Sequence, residues 1–299
     1  MKRQWLDTHV HVSAVNPDGS ARETLATELM KVLNTEDAQI SFVISLDGAE
    51  LSKIASDPEG MMAGARLVRE LTREAPGRLH GACMANPHFL DEALRCLDLC
   101  LGEWGFVMFG EVLQYMWDLK LDSPEVAACV RRAAEFDVPA QIHISTSNSK
   151  IHPSSDGTEQ LEDLLRLVDR VPEAKYILAH LVGTDTVPPV VDGYLDQIDR
   201  RYGRWPDNFW CEIRDFNSPG VKSVLERVPH NRLIAGTDWT TRVGPPFAPY
   251  GTIFGHTAED NPYPARISAM VEFLKLSGAS DDVVEGIAWR NAAELLKLV

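Results

Sequence analysis

Eight short apolar runs, each separated from the next by room for a helix, constrain what this chain can fold into. They are Trp5–Val12, Gln39–Leu46, Arg78–Ala85, Gly105–Val112, Ala140–Ser145, Lys175–His180, Asn208–Ile213 and Arg232–Gly236. Stretches such as Ile40–Leu46 and Tyr176–Ala179 are almost continuously apolar, the mark of parallel strands buried on both faces. Helical patterns lie between them: Glu23–Leu33, Gly60–Arg73, Leu90–Leu101, Pro124–Phe136, Gln160–Arg170, Val190–Tyr202 and Lys222–Arg227, with Pro262–Leu276 and Asp281–Leu298 after the last strand. Ser123-Pro124 reads as an N-cap followed by proline at the first helical position, and Ser280 before Asp281-Asp282 reads as a second cap. Eight β/α units in 299 residues predict an α/β fold of the (β/α)8 TIM-barrel type, a single domain over 1–299. The rival, a doubly wound open sheet, lacks a Gly-x-Gly-x-x-Gly fingerprint after its first strand. Two longer loops, about 146–157 and about 240–261, would roof the C-terminal face of the barrel, where βα loops gather.

Composition narrows the partners. With 29 Lys and Arg against 44 Asp and Glu, the formal charge is −15. That balance argues against nucleic acid or an anionic membrane surface, while a local pocket can still take a small anion. No apolar segment approaches the ~20 residues of a membrane span. The N-terminal Met1-Lys2-Arg3-Gln4-Trp5 leads directly into a strand without a signal-like core, so a cytoplasmic protein is expected. The five cysteines, 83, 96, 100, 129 and 211, have no disulfide or C-x-x-C spacing, and Cys96 and Cys100 lie one helical turn apart on an apolar face. They read as buried free thiols of a reducing compartment.

Polar residues collect at one end of the predicted strands. Strand 1 ends in Asp7-Thr8-His9-Val10-His11, where alternation turns both imidazoles to one side. Strand 4 ends with Glu111, strand 5 carries His143, strand 6 ends with His180, and strand 8 leads to Asp238. In a closed barrel these ends converge on one funnel. Four imidazoles and two carboxylates without a thiolate suit a divalent metal, zinc first, with manganese or iron as alternatives. Asp238 would serve as ligand and as general base towards metal-activated water. His80, His88 and His230 match no strand end, while His152 and His256 fall in the two roof loops.

With those motifs in view, the chain resembles the amidohydrolase superfamily, and within it the amidohydrolase-2 branch typified by aminocarboxymuconate-semialdehyde decarboxylase. The resemblance rests on Asp7–His11, Pro172–Leu181, Asn231–Trp239 and Asn291–Leu296, in order along nearly the whole chain. It implies that His9, His11, His143, His180 and Asp238 correspond to metal ligands, that His180 can also assist the substrate, and that one divalent ion is usual. Glu111 departs from that branch. Binuclear relatives carry a bridging carboxylated lysine or glutamate there, so one ion is expected, or two if Glu111 bridges. The Gly-Glu pair is similar to that of metal-dependent deoxyribonucleases of the superfamily, but a charge of −15 opposes DNA. A homodimer, common in the family, is the assembly the resemblance implies.

The candidate substrate wall comprises Tyr115 and Trp117 after Glu111, Arg214 after strand 7, Trp239 and Arg242 after Asp238, and His152 in the first roof loop. Aromatics beside a guanidinium suit an organic acid or lactone. The first reading is a metal-dependent hydrolase of a small cyclic or carboxylated metabolite, cleaving a lactone, amide or similar bond. The alternative is a non-oxidative decarboxylase of an aromatic or muconate-type acid. A third reading is a di-iron oxygenase with Glu111 as the bridge.

Overall fold

The computed structural model describes residues 3–16, 18–35, 38–47, 57–144, 157–183, 188–242, 245–247 and 265–299. Among these the strands are β1 (Arg3–Val12), β2 (Ala38–Leu46), β3 (Leu79–Cys83), β4 (Met108–Val112), β5 (Ala140–His143), β6 (Tyr176–Val182), β7 (Phe209–Ile213), β8 (Leu233–Ala235) and β9 (Trp239–Thr240). Neighbours in sequence are neighbours in the sheet, all parallel, and β9 returns to pair with β1 through Val10 opposite Trp239 and His11 opposite Thr240. β9 continues the eighth strand after a break at Gly236–Asp238. The expected TIM barrel therefore closes on itself, with its last strand interrupted where Asp238 stands.

The helices are α1 (Leu25–Val32), α2 (Pro58–Glu74), α3 (Leu90–Leu97), α4 (Pro124–Glu135), α5 (Gly157–Arg170), α6 (Pro188–Tyr202), α7 (Gly220–Arg227), α8 (Ile267–Leu276), α9 (Asp281–Glu285) and α10 (Asn291–Leu295). Both expected caps form: Ser123 Oγ accepts from Val126 N–H at 3.3 Å and Ser280 Oγ from Val283 N–H at 3.4 Å. Two patterns read as single helices are broken by π turns, Asp98–Glu103 after α3 and Gly286–Arg290 before α10. A π turn shifts the bonding by one residue without changing the apolar periodicity much, so the sequence hides it. No helix among the described residues is long and apolar enough to cross a membrane.

Two apolar layers follow from strand alternation. The outer layer packs the strands against the helices. The inner one takes Leu6, Val43, Ala82, Met108, Ile177 and Ile234 from six strands, and α10 caps it with Ala292, Ala293 and Leu295. Asn291 Nδ2 donates to the carbonyls of His230 and Leu233, both at 2.7 Å, and so pins α10 to the start of β8. This floor seals the barrel at the N-terminal ends of its strands.

The walls are tight enough to specify small residues. A Cβ on Gly81 would stand 2.5 Å from the buried ring of Phe106. Gly81→Ala should lower stability by about 1–3 kcal/mol, read as a fall in the denaturant midpoint, since a rigid ring must leave its place. Adding Phe106→Leu should recover part of that loss; a purely additive double variant would refute the clash.

Candidate metal centre

Three of the strands that deliver polar groups to the funnel, β1, β4 and β6, break their regular pairing near those groups, while β5 carries His143 in regular register with β6. From Asp7 to Val10, β1 advances three residues while β2 advances two; from Phe109 to Val112, β4 does the same against β5; from Leu178 to Val182, β6 advances four against two on β7. The extra residues are bulges, which re-aim side chains next to sites. In β1 the bulge lets Thr8 and His9 both serve the interior. In β4 it follows Gly110, whose φ is +132° and where a Cβ would stand 2.5 Å from the Gln141 carbonyl, so the residue before Glu111 must be glycine. His180 and Asp238 adopt φ of +39° and +55°, uncommon for residues with a Cβ and typical of functional positions.

The six residues expected at the strand ends come together. His9 Nε2 and His11 Nε2 are 3.0 Å apart. Glu111 Oε2 is 3.3 Å from each, and Asp238 Oδ1 is 3.5 Å from His9 and 3.2 Å from His11. The other Glu111 oxygen, Oε1, lies 2.8 Å from His143 Nδ1 and 2.9 Å from His180 Nε2. Two donor groups result, one of His9, His11, Glu111 and Asp238 and one of Glu111, His143 and His180, with Glu111 common to both.

Tautomers decide what these groups need. His9 Nδ1 is 2.7 Å from Glu212 Oε1 and His11 Nδ1 is 2.7 Å from the Leu46 carbonyl, so in the neutral rings both Nδ1 atoms carry the proton. Both Nε2 atoms then present lone pairs to each other and to two carboxylate oxygens. His180 repeats the pattern, with Nδ1 3.2 Å from the Ile144 carbonyl and Nε2 facing Glu111. His143 Nε2 is buried and has no hydrogen-bond partner among the described residues. Such a convergence of acceptors is relieved by positive charge, either protons on the Nε2 atoms or a cation, and the donor set suits a divalent metal.

A second ring of contacts fixes these orientations, and sequence reasoning missed it. Glu212 on β7 is fully buried and accepts from His9 Nδ1, from His180 N–H at 2.9 Å, from Gln141 Nε2 at 2.7 Å and from Thr8 Oγ1 at 3.4 Å. Gly236 makes room for it, since a Cβ there would stand 2.4 Å from the Glu212 carboxyl carbon. Asp7 braces the break in the eighth strand, accepting from Thr237 N–H at 2.9 Å and Thr237 Oγ1 at 2.6 Å. The signal was available: Glu212 is a lone charge inside the apolar run Phe209–Ile213, and Asp7 stands between Leu6 and Thr8.

The close packing of imidazoles and carboxylates shifts their titrations. Burial acts to lower His9 and His11, but the facing carboxylates outweigh it, holding His9 well above the imidazole range and His11 up at about 10. Burial works to raise Glu111 and Asp238, and the imidazoles, joined at Asp238 by Arg214, hold both below the carboxylate range. Burial lowers His143 and pushes Asp7 up to about 7.

The expected substrate wall divides. Tyr115 lies against His143, ring centroids 4.7 Å apart. Arg214 is buried and donates from Nη1 to Asp238 Oδ2 at 2.9 Å, its guanidinium resting where Gly183 has no Cβ. Arg242 donates from Nε to Asp47 Oδ2 at 2.9 Å, at the end of β2. Trp239 differs from its expected place: β9 turns its ring to the outer layer against Phe42, centroids 5.9 Å apart. Trp117 also departs from the wall, because the 3-10 turn Gln114–Trp117 buries it in the outer core while His88 bonds its carbonyl. His152, His256, the loop 146–156 and most of 240–261 lie outside the described residues.

The profile of the amidohydrolase family matches residues 6–298. No curated protein matches the chain by sequence. Among solved structures it is similar to the 2,6-dihydroxybenzoate decarboxylase from Rhizobium, at 16% identity over 99% of each chain and a TM-score of 0.67. It is similar to a dihydroxybenzoic acid decarboxylase from Polaromonas sp. JS666 with bound manganese and the inhibitor 2-nitroresorcinol, at 16% identity over 99% of this chain and 97% of that one, TM-score 0.65. It is also similar to 4-oxalomesaconate hydratase from Rhodopseudomonas palustris, at 14% identity over 98% and 96%, TM-score 0.67. A closed (β/α)8 barrel, matched over nearly its whole length by the family profile, makes this chain a member of the amidohydrolase family and an enzyme of that superfamily.

Proposed function

We propose that the chain is a metal-dependent, non-oxidative decarboxylase of a small aromatic or otherwise unsaturated carboxylic acid. The observation that carries the metal is the convergence of imidazole and carboxylate lone pairs on two sides of Glu111. Support for decarboxylation comes from the relatives, two of which are decarboxylases of dihydroxybenzoic acids. One divalent ion at His9, His11, Glu111 and Asp238, or a second at Glu111, His143 and His180, would polarise the substrate's oxygens. Manganese, zinc and iron all suit this donor set.

The chain's own residues supply the rest. The bond between the substrate carbon and its carboxyl carbon breaks, carbon dioxide leaves, and the carbon takes one proton. Asp238 and His180 would carry that proton. His9 and His11, with Arg214, hold the Asp238 carboxylate ionised, and Arg214 fixes one of its oxygens, leaving the other directed at the imidazoles. Glu212 is a positioning residue that holds His9 with Nε2 inward and anchors the backbone of His180. Tyr115 offers an aromatic wall beside His143.

Hydrolysis is the second reading. Glu111 divides its two oxygens between two donor groups, an arrangement used by two-metal hydrolases, and Asp238 would then take a proton from water.

Carbon dioxide release measured against acid release, over a panel of aromatic acids and lactones, separates the two. Carbon dioxide release from an aromatic acid is expected; acid release from lactones alone would overturn decarboxylation. Asp238→Asn should cut kcat by at least about 100-fold with the fold retained, and activity within a few fold of the parent would remove its proposed role.

Metal analysis should give one or two equivalents per chain. If Glu111 bridges two ions, Glu111→Gln should lose about half the metal; if one ion binds with Glu111 outside its ligands, the variant should keep it. Two irons per chain would bring oxygenase chemistry forward. Glu212→Gln should weaken metal affinity by roughly 10–100-fold, the usual effect of losing a ligand's partner.

Stability against pH carries a sign. His9 and His11 are raised above the ordinary value of 6.5, so their contribution in the metal-free protein is complete below that value. It is lost as pH climbs towards about 10 for His11. The Tm of chelator-treated protein should therefore fall between about pH 7 and 9, while metal-loaded protein, whose ion replaces those protons, should hold its Tm.

A further inference from the structure

All five cysteines are buried and free, and three of them converge. Cys83 ends β3, Cys96 lies in α3, and Cys100 lies in the π turn that continues it. The Cys96 sulfur is 3.8 Å from that of Cys83 and 3.9 Å from that of Cys100, and all three sulfurs lie within 4.8 Å of one another. None of the three residues is more than 1% exposed. Ala82 faces the inner core and Cys83 the outer, so the sulfurs sit behind the barrel wall, away from the imidazoles.

We propose that Cys83, Cys96 and Cys100 form a binding site for a soft, three-coordinate ion of the copper(I) class, distinct from the candidate catalytic centre. The donor set is sulfur alone, which selects soft ions over magnesium, calcium or manganese. Metal–thiolate bonds of about 2.3 Å in a trigonal plane set the sulfurs ~4 Å apart, close to the separations present, so an ion enters with little rearrangement. The helix changes from α to π bonding between Cys96 and Cys100, a local irregularity frequent at functional positions.

Hydrogen bonding with Cys100 and Cys96, and then burial, push the Cys83 thiol well up, while hydrogen bonding from Cys100 and Cys83 draws Cys96 down to about 4, so Cys96 is the first of the three to give up its proton. Copper(I) is ligated by thiolates: at each of the three cysteines one S–H bond breaks as the Cu–S bond forms, the three protons leave to solvent, and no electron is transferred. Zinc would need a fourth ligand, and the group holds three sulfurs.

Entry requires local opening of the α3 segment, so copper(I) should be offered both to folded protein and during refolding, without oxygen. Protein first incubated with manganese(II) is titrated in competition with a chromophoric copper(I) chelator. One equivalent per chain should be retained, with an X-ray absorption shell of three sulfurs. Cys96→Ser should weaken retention by more than the roughly 10–100-fold that loss of an outer partner costs, while Cys211→Ser on β7 should retain copper. Absence of retained copper, a shell of nitrogen or oxygen, or unchanged retention in Cys96→Ser would overturn the site. If Cys96→Ser does not fold by circular dichroism, the sulfur shell of the unmutated protein decides. A nitrogen shell would place copper at the imidazoles and leave the decarboxylase reading standing.

Discussion

Lone pairs aimed at one another repel, and this barrel aims several at two adjacent points. His9, His11, Glu111 and Asp238 direct acceptors at the first, and His180 and Glu111 at the second. Water and protein hydrogens would ordinarily relieve such a convergence. Here the Nδ1 protons are committed outward to Glu212, Leu46 and Ile144, and Arg214 takes the remaining oxygen of Asp238. The bulges of β1, β4 and β6 and the break in the eighth strand serve the same end. A barrel of perfect strands would place these groups in separate layers and let them avoid each other.

That arrangement has an electrostatic cost that explains the acidic interior. Glu111, Glu212 and Asp238 are each at most 5% exposed, and Arg214 offers the cluster a single guanidinium. Buried charges without partners are expensive, and a divalent cation offsets what Arg214 leaves uncompensated. The net charge of −15 across the chain is therefore no guide to the field felt by a substrate, which would meet the cation first.

Much of this was legible from the sequence, for a physical reason. Apolar runs and helical periods report burial directly, so the strands and their order read true, and polar residues at strand ends stand out against apolar neighbours. His9, His11, Glu111, His143, His180 and Asp238 were visible on that ground. The bulges were not, because an inserted residue leaves composition unchanged and only shifts which neighbour a side chain meets. Trp117 and Trp239 show the opposite failure: an indole beside a site and an indole under a helix have the same local sequence. Glu212 was visible as a charge in an apolar run, yet its role as an acceptor for three other strands emerges only when the barrel closes.

The α10 floor gives the enzyme a traffic problem as well as a seal. With Ala292, Ala293 and Leu295 stoppering the bore and Leu6, Met108 and Ile234 lining it, the barrel is a blind tube. Whatever reaches the metal end must leave by the mouth through which it came. Product, proton and the next substrate would all share one corridor, past a rim at which Asp47 and Arg242 are joined.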